Sequence, residues 1–385
     1  MNSSRKSPEE ALNHCLKHFE LDEEALKKGD WGKENPVKLP PDNLPLPPLV
    51  FLCFVALKGF GYWGKAEKVF WKIPIKYKSL PFLLSHRKFG FRVHRKGEVD
   101  YPENIVDAMI KDLNKAIRVA DRMIQPFAEQ QVRSGNVTVA NHYIKLDMMY
   151  RFFRDKARRC FSRPAPKPEI TGRDKDGTPI AWSHDPYKYE REGFYNSIGM
   201  VDAFFSRLEH VLILVLPFIG FDPATEDLAQ IMSANWADKY KRVFDLAANA
   251  KAKTLLEKLI FIKEKYRNAI IHGYFEKKGA SLFFHIPPYA VPVLLSRFRN
   301  SVQYSFLPIT TMSYEEICSI FDEVDSLLKE GTTKYGVRFA ESGLDLPFDA
   351  KSISRYHAAQ ESDEAFESFV EFVGYWSDLS VNMDW

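Results

Sequence analysis

Residues Lys263-Glu264-Lys265-Tyr266-Arg267-Asn268-Ala269-Ile270-Ile271-His272-Gly273 close an apolar run whose members recur at helical spacing. The run contains Leu255, Leu256, Leu259, Ile260 and Ile262, and no proline interrupts residues 252–272. This periodicity predicts a helix that ends at His272, with Gly273 as its C-cap. His272 then lies in the last turn, where the carbonyl dipoles favour an imidazolium by roughly 0.3 to 1 kcal/mol.

The end of this predicted helix carries three polar side chains of different chemistry. Asn268 and His272 are four residues apart and share a face. Arg267 lies about 140° around the helix from His272, but its long side chain can reach a neighbouring helix or a bound phosphate. The segment therefore presents a forked cation, an amide and a titratable imidazole together.

An arginine, a polar residue, three further residues and a histidine at the end of a buried helix resemble the signature of the HEPN superfamily. Many members of that superfamily are metal-independent ribonucleases. The segment 198–217 is similar to the long partner helix of such domains. The resemblance covers about residues 192–330, and it implies a helical bundle that dimerises and uses Arg267, Asn268 and His272 as its site.

The predicted partner helix is apolar on every side from Val211 to Leu216, and Asp202, Ser206 and Glu209 form its polar stripe. Polar groups that enter a core need partners there. We expect Glu209 to pair with Arg267 or His272 and to complete the catalytic site. The alternative is that Glu209 pairs with an unrelated surface lysine.

Cleavage of RNA without a metal requires a base for the 2′-hydroxyl proton, an acid for the leaving oxygen and positive charge beside the phosphorus. His272 can act as base or acid, Arg267 offers a bidentate fork to the phosphate oxygens, and Asn268 can orient the imidazole. One helix supplies one histidine, so a mechanism with two histidines requires two copies related by symmetry. The alternative for this motif is a buried histidine beside an arginine in a salt bridge.

The composition is that of a globular protein of two or three domains, with 385 residues of which 45% are hydrophobic and 27% charged. The net charge of +3 does not indicate nucleic acid, so an RNA site must be a local patch. The scattered Cys15, Cys53, Cys160 and Cys318 form no CxxC pair, which predicts neither a zinc site nor a disulfide framework. No cofactor or metal is expected. The polar N-terminus argues against secretion and favours the cytoplasm.

The N-terminal third combines helical, extended and strand-like patterns. The motif Ser7-Pro8-Glu9-Glu10 predicts the start of a helix that runs to about Lys28, and a proline-rich connector follows. The apolar run 49–57 is too short to span a membrane, which needs about 20 residues, so we expect it in a core. Alternating apolar residues between Val69 and Val93 predict a small β meander.

Two predicted helices, 104–132 and 137–161, form a helical hairpin after the meander. The second carries a mixture of basic and aromatic residues that could hold phosphates or stacked bases, at Arg151, Arg154 and Arg158. The pattern favours the alternative, a solvated charged face with core aromatics. Lys277 and Lys278, which follow the motif, are further predicted RNA contacts.

The sequence predicts a mainly α chain in which a C-terminal HEPN-like helical bundle follows an N-terminal α+β region of meander and helical hairpin. The predicted divisions are an N-terminal helix and connector (1–48), an α+β domain (49–162), a linker (163–190), the bundle (191–330) and a C-terminal helical extension (331–385).

The predicted function is a metal-independent endoribonuclease that cleaves RNA by 2′-hydroxyl attack at a composite site in a homodimer. It would serve as a toxin or antiviral defence effector, with an antitoxin or regulatory partner. The alternative is a noncatalytic HEPN-like module for dimerisation or for nucleotide or RNA binding. The chain has no glycine-rich phosphate loop, serine hydrolase elbow or nucleotidyltransferase signature, so other enzyme classes have little support.

Overall fold

The computed structural model describes residues 7–39, 44–97, 99–268, 283–292, 297–298, 301–302 and 311–384. Contacts divide the chain into an N-terminal unit, Met1–Gln131 with Glu371–Trp385, and a helical unit, Val132–Val370. Helices predominate, and within the described ranges the five-stranded antiparallel sheet lies in the N-terminal unit. The predicted mainly α chain with an N-terminal α+β region is confirmed, whereas a HEPN-like bundle stays a prediction.

The N-terminal unit is built on an antiparallel sheet of strand order β1-β3-β4-β5-β2. Its elements are α1 Pro8–Cys15, β1 Phe19–Leu21, α2 Glu23–Lys28, β2 Glu34–Pro36, α3 Pro47–Phe51, β3 Val69–Tyr77, β4 Leu80–Arg87, β5 Gly90–Lys96 and α4 Ile105–Arg133. Ile73 lies opposite Leu84, which lies opposite Val93, so these side chains share one face. That face is buried against Met109 and Leu113 of α4. The predicted meander is confirmed.

The opposite face of this sheet carries polar side chains, because side chains alternate along each strand. Its centre is covered: Leu83 packs against Ala25 and Trp31, and Ser85 and His94 are buried. The register places Lys72 opposite Ser85, and Ser85 opposite Arg92. We define the polar face as Glu34, Lys72, Ser85, Arg87, Arg92, His94 and Lys96.

The apolar run 49–57 lies in the core of the N-terminal unit, as expected. Helix α3 continues as a π-helical turn, Leu52–Ala56. Val50, Cys53 and Phe54 are fully buried. No helix in the described part of the chain is long and apolar enough to cross a membrane.

The predicted helix 7–28 is not continuous. It begins as expected: the Ser7 hydroxyl accepts from the Glu10 amide at 3.2 Å, and the Glu10 carboxylate accepts from the Ser7 amide at 2.9 Å. The helix ends at Cys15, however, and the chain then forms β1. Phe19 of β1 pairs with Tyr77 at the sheet edge, with ring centroids 4.8 Å apart. Strand pairing and aromatic burial therefore outweigh helical propensity here.

The helical unit is organised around one long helix, α6. Its elements are β6 Thr138–Val139, α5 Tyr143–Phe161, β7 Glu169–Arg173, β8 Pro179–Ser183, α6 Lys188–Leu214, α7 Leu228–Ser233, α8 Trp236–Val243, α9 Ala250–Ile262, β9 Phe283–Ile286, β10 Tyr289–Pro292, β11 Arg297–Phe298, β12 Ser301–Val302, α10 Thr311–Leu328, α11 Lys334–Ser342, β13 Leu346–Pro347, α12 Ala350–Ala359 and α13 Asp363–Asn382. Residues of α13 from Glu371 onward belong to the N-terminal unit. The apolar end of α6 is buried, and Phe204 stacks on Phe321 of α10 at 3.6 Å.

Helix α5 belongs to the helical unit, which corrects the predicted domain boundary and the predicted hairpin of the two helices. A Cβ added at Gly193 or Gly199 of α6 would lie 2.7 Å and 2.8 Å from ring atoms of Phe161 and Phe153, so the absent side chains let α5 pack closely. The predicted linker 163–190 instead contains the hairpin β7–β8, inside the helical unit. The division falls at residues 131 and 132, because the buried face of α5 is covered by α6.

Helix caps divide the rest of the helical unit into short elements. Asp227 and Asn235 each cap an N-terminus, so α7 and α8 are separate helices. Helix α10 begins at Thr311. The segment after Gly331, predicted as a helical extension, contains the helices α11, α12 and α13.

Candidate active site at the end of α9

The motif helix changes its winding shortly before the motif. Helix α9 ends at Ile262 and continues as a π-helical turn, Lys263–Asn268. Such turns occur frequently at functional sites. The side chain of Asn268 lies outside the described residues, as do His272, Lys277 and Lys278. Arg267 is therefore the member of the predicted motif whose side-chain contacts are described.

Arg267 is held by the polar stripe of α6. Its Nε donates to Oδ1 of Asp202 at 2.6 Å, while its side chain is 29% exposed and that of Asp202 is 51% exposed. Its Nη groups make no hydrogen bond to a described residue. The carboxylate thus orients the guanidinium along one edge, and solvent still reaches the fork.

Glu209 has a different partner from the one expected. Its Oε1 accepts from Nζ of Lys239, on α8, at 2.5 Å. The alternative prediction was a surface lysine as the partner of Glu209. The partner is indeed a lysine, but Lys239 is buried. Asp202, not Glu209, is the carboxylate that takes Arg267, and contacts of Glu209 with Asn268 or His272 lie outside the described residues.

Lys263 is a member of this cluster that sequence reasoning missed. Its Nζ lies 5.4 Å from the ring centroid of Phe205 and 5.1 Å from that of Trp236. Burial, and then the charge of Arg267, lower the pKa of Lys263. Its position four residues before Arg267 was a signal that could have revealed it.

The described part of the site therefore contains three cations, Lys239, Lys263 and Arg267, and two carboxylates, Asp202 and Glu209. This leaves an excess of positive charge beside the accessible edge of Arg267. Such an arrangement can bind an anionic group, and a guanidinium with a free edge suits the planar pairs of oxygens that a phosphate offers.

The predicted RNA contacts on α5 are all paired with carboxylates. Arg151 binds Asp147 at 2.5 Å. Arg158 binds Asp155 at 2.8 Å. Both Nη atoms of Arg154 donate to the carboxylate of Asp322, at 2.5 Å and 2.6 Å.

Two of these arginines border a groove of about 510 Å³ between α5 and α10. Its lining includes Arg154 and Arg158 but four carboxylates, those of Asp155, Glu315, Asp322 and Glu323. The excess of negative charge does not suit a polyanion. The structure thus agrees with the alternative reading of α5, a charged face whose arginines are paired locally.

A buried arginine that sequence reasoning did not single out joins three helices. Arg207 of α6 is 5% exposed. Its Nη1 donates to Asp147 of α5 at 2.5 Å, and its Nη2 donates to Asp325 of α10 at 2.6 Å. Its guanidinium also lies 4.3 Å from the ring centroid of Tyr150. Burial raises the pKa of Asp325 against the opposing effect of Arg207.

A serine, a histidine and a glutamate come together on the polar face of the N-terminal unit. Oγ of Ser85 is 3.3 Å from Nε2 of His94, whose Nδ1 is 3.6 Å from Oε2 of Glu34. Ser85 is 0% exposed and His94 4% exposed, so no substrate reaches this hydroxyl. Burial lowers the pKa of His94 to about 4. The three side chains form a buried polar network rather than a hydrolase triad.

Comparison of the chain with protein-family models, with curated proteins and with solved structures gave no significant match. The HEPN resemblance therefore rests on the motif and on its helical context. Among the described residues, no group of three His, Cys, Asp or Glu side chains is arranged to hold a metal ion.

Proposed function

We propose that the chain is a metal-independent endoribonuclease that cleaves RNA at a composite site formed by two copies. The observation that carries this proposal is the accessible fork of Arg267, oriented by Asp202 beside a surplus of positive charge. A group that stabilises a developing phosphorane needs this combination of fixed orientation and open access.

In the proposed reaction, the 2′-oxygen of a ribose forms a bond to the adjacent phosphorus while the bond to the 5′-oxygen breaks. One His272 imidazole takes the 2′-hydroxyl proton, and the His272 of the second copy gives a proton to the departing 5′-oxygen. Arg267 stabilises charge on the non-bridging oxygens, and Asn268 orients the imidazole. The products are a 2′,3′-cyclic phosphate and a 5′-hydroxyl.

The test is incubation of the purified protein with total RNA and with tRNA in EDTA. We expect cleavage to persist in EDTA and the His272→Ala variant to be slower by about 10² to 10⁴. Arg267→Lys should recover only part of the activity lost in Arg267→Ala, because a lysine keeps the charge but not the planar fork. Full RNA cleavage by His272→Ala would overturn the proposed site.

Arg242→Ala is a matched control in the same unit. Arg242 of α8 is also paired with a carboxylate, that of Glu226 at 2.8 Å, and its side chain is 34% exposed. Its loss should leave the cleavage rate unchanged. A slower Arg242→Ala would mean that loss of any such ion pair impairs the unit.

The composite site also requires a homodimer whose interface includes the end of the motif helix. Sedimentation at micromolar concentration and low salt should show a dimer, and a monomer with full activity would contradict two-copy catalysis. A toxin or antiviral effector, held inactive by an antitoxin or regulatory partner, is the biological role we infer for such an enzyme.

The second candidate is a noncatalytic module for dimerisation or for nucleotide or RNA binding. The hydrogen bond between Arg267 and Asp202 also fits this second candidate, because an arginine with a purely structural role at a helix end would form the same ion pair. A dimer that binds RNA but leaves both total RNA and tRNA intact would support this candidate.

A further inference from the structure

We propose that the exposed cations of β5, Arg92 and Lys96, together with the tip of the β4–β5 hairpin, bind single-stranded RNA. The choice of RNA rather than DNA as the single strand rests on the proposed function. The surface lies in the N-terminal unit, and its charge and geometry do not depend on that function.

The segment that forms the meander is strongly basic. Residues 58–97 contain eleven lysines and arginines and a single acidic residue, Glu67. The balanced charge of the whole chain hides this local excess. Positive charge concentrated on one element is the electrostatic footprint of a polyanion site.

Only part of this charge is neutralised by other segments. Glu34 pairs with both Lys72 and Arg87. Arg92 and Lys96 are exposed and make no ion pair with a described residue. Glu34 therefore neutralises Lys72 and Arg87 but leaves Arg92 and Lys96 as cations on this face.

The two unpaired cations lie along one strand. Arg92 and Lys96 are exposed positions of β5 on the polar face, and the neutral His94 between them is buried. At about 3.4 Å per residue, Arg92 and Lys96 are separated by roughly 13 Å along the strand. Two cations at this spacing can contact an extended phosphate backbone.

Two exposed aromatic rings lie at one end of the same sheet. Phe89, in the turn before β5, is 80% exposed. Phe70 is also exposed and lies in the β-bulge of β3, next to Val69, which pairs with Arg87. Arg87 in turn pairs with Gly90, so Phe70 and Phe89 are at the same end.

Exposed rings beside a cationic strand suit unstacked bases. In a duplex the bases are stacked on one another, so none has a face available to stack on the ring of Phe89. An anionic membrane could also take up Phe89, and binding to vesicles without binding to RNA is therefore one outcome of the test. Single-stranded RNA is the partner that uses both the rings and the charges.

The experiment measures fluorescence anisotropy of a labelled single-stranded RNA with the full chain, at several salt concentrations. All proteins carry His272→Ala, so binding is measured without cleavage. Phe89→Ala should weaken binding roughly tenfold, because one base loses its stacking partner. Since Phe89 is exposed, this change leaves the core untouched.

A double variant, Arg92→Gln with Lys96→Gln, tests the charges. It should lower the slope of log affinity against log salt by about 1.4, which corresponds to two phosphate contacts of a single strand. The matched control is Arg118→Gln with Lys111→Gln. These side chains are exposed on α4, the helix that covers the other face of the sheet, and should change affinity less than twofold.

Equal affinity for duplex RNA, tighter binding to DNA of the same sequence, or binding to anionic vesicles without binding to RNA would each overturn the proposal. Equal weakening by the control variant would do the same. If the variants behave as expected while the wild-type chain cleaves no RNA, the proposed nuclease function fails and the binding surface stands.

Discussion

The two units neutralise partly or fully buried charges in opposite ways. In the N-terminal unit one carboxylate, Glu34, lies between two cations, Lys72 and Arg87. In the helical unit one cation, Arg207, lies between two carboxylates, those of Asp147 and Asp325. The first arrangement leaves a sheet face with the unpaired cations Arg92 and Lys96. The second belongs to a set of helices on which Arg151, Arg154 and Arg158 of α5 are paired.

This difference shows what a count of basic residues does and does not indicate. Helix α5 has the more obvious basic and aromatic pattern, yet Arg151, Arg154 and Arg158 are bound by aspartates of α5 itself and of α10. The meander has a less regular pattern, yet Arg92 and Lys96 pair with no described carboxylate. Pairing, rather than composition, decides which surface can bind a polyanion.

The largest effect should come from removal of Arg207. Arg207→Met leaves the carboxylates of Asp147 and Asp325 without their shared cation in a buried site. We expect a loss of about 3 to 5 kcal/mol in the free energy of unfolding, the range for breaking a buried ion pair. Urea unfolding followed by far-UV circular dichroism measures it.

The matched variant on α5 is Arg158→Met, which breaks a solvent-exposed pair with Asp155. It should change the free energy of unfolding by no more than about 0.5 kcal/mol. If Arg207→Met proved as mild as Arg158→Met, the contrast drawn between the buried and the exposed pairs would be mistaken.

An intermediate effect should come from acid, because the described part of each unit contains a histidine whose pKa is lowered to about 4, His94 in the N-terminal unit and His210 in the helical unit. Burial, and then Arg87, lower the pKa of His94 to about 4, while Lys72 and Arg92 add to this and Glu34 opposes it. Burial, and then His142, lower the pKa of His210 to about 4. The Nε2 of His210 accepts a hydrogen bond from the His142 amide at 2.9 Å.

The sign follows from proton binding. An unfolded histidine titrates near pH 6.5, so between about pH 6.5 and 4 the unfolded chain binds more protons than the folded chain. Stability should therefore be fully present above about pH 6.5 and fall as the pH decreases toward 4. His94→Gln should flatten this dependence for the N-terminal unit, and His210→Gln for the helical unit. Unfolding curves over this pH range, with unchanged acid sensitivity in both variants, would refute the assignment.

Local patterns predicted the elements whose signal lies within a few residues. Alternation predicted the meander, apolar length predicted the buried run 49–57, and the apolar end of α6 predicted the burial of that end. The unit to which α5 belongs depends instead on contacts between distant segments, such as Phe153 with Gly199. No periodicity within α5 contains that information.

The candidate site shows the same limit. The polar stripe on α6 indicated that a carboxylate would meet the motif, but the choice between Asp202 and Glu209 depends on the rotation of the motif helix. A π-helical turn at Lys263 alters that rotation, and no local pattern of residues indicates such a turn. Arg207 has partners 60 and 118 residues away, so its role was also hidden.

The smallest effect should be that of the α5 arginines on RNA binding, and it offers the sharpest contrast with β5. Arg151→Gln with Arg158→Gln removes two exposed cations, as many as Arg92→Gln with Lys96→Gln. Each of these arginines is already paired with an aspartate, so its loss frees a carboxylate rather than a phosphate. In the anisotropy assay with His272→Ala, we expect the affinity for single-stranded RNA to change less than twofold. The slope of log affinity against log salt should stay within experimental error.

A decrease of about 1.4 in that slope for the α5 variant would mean that RNA displaces the aspartates and binds the helical unit. In that case ion pairing would not prevent a basic helix from binding a polyanion. Helix α5, rather than the sheet, would then be the RNA-binding surface.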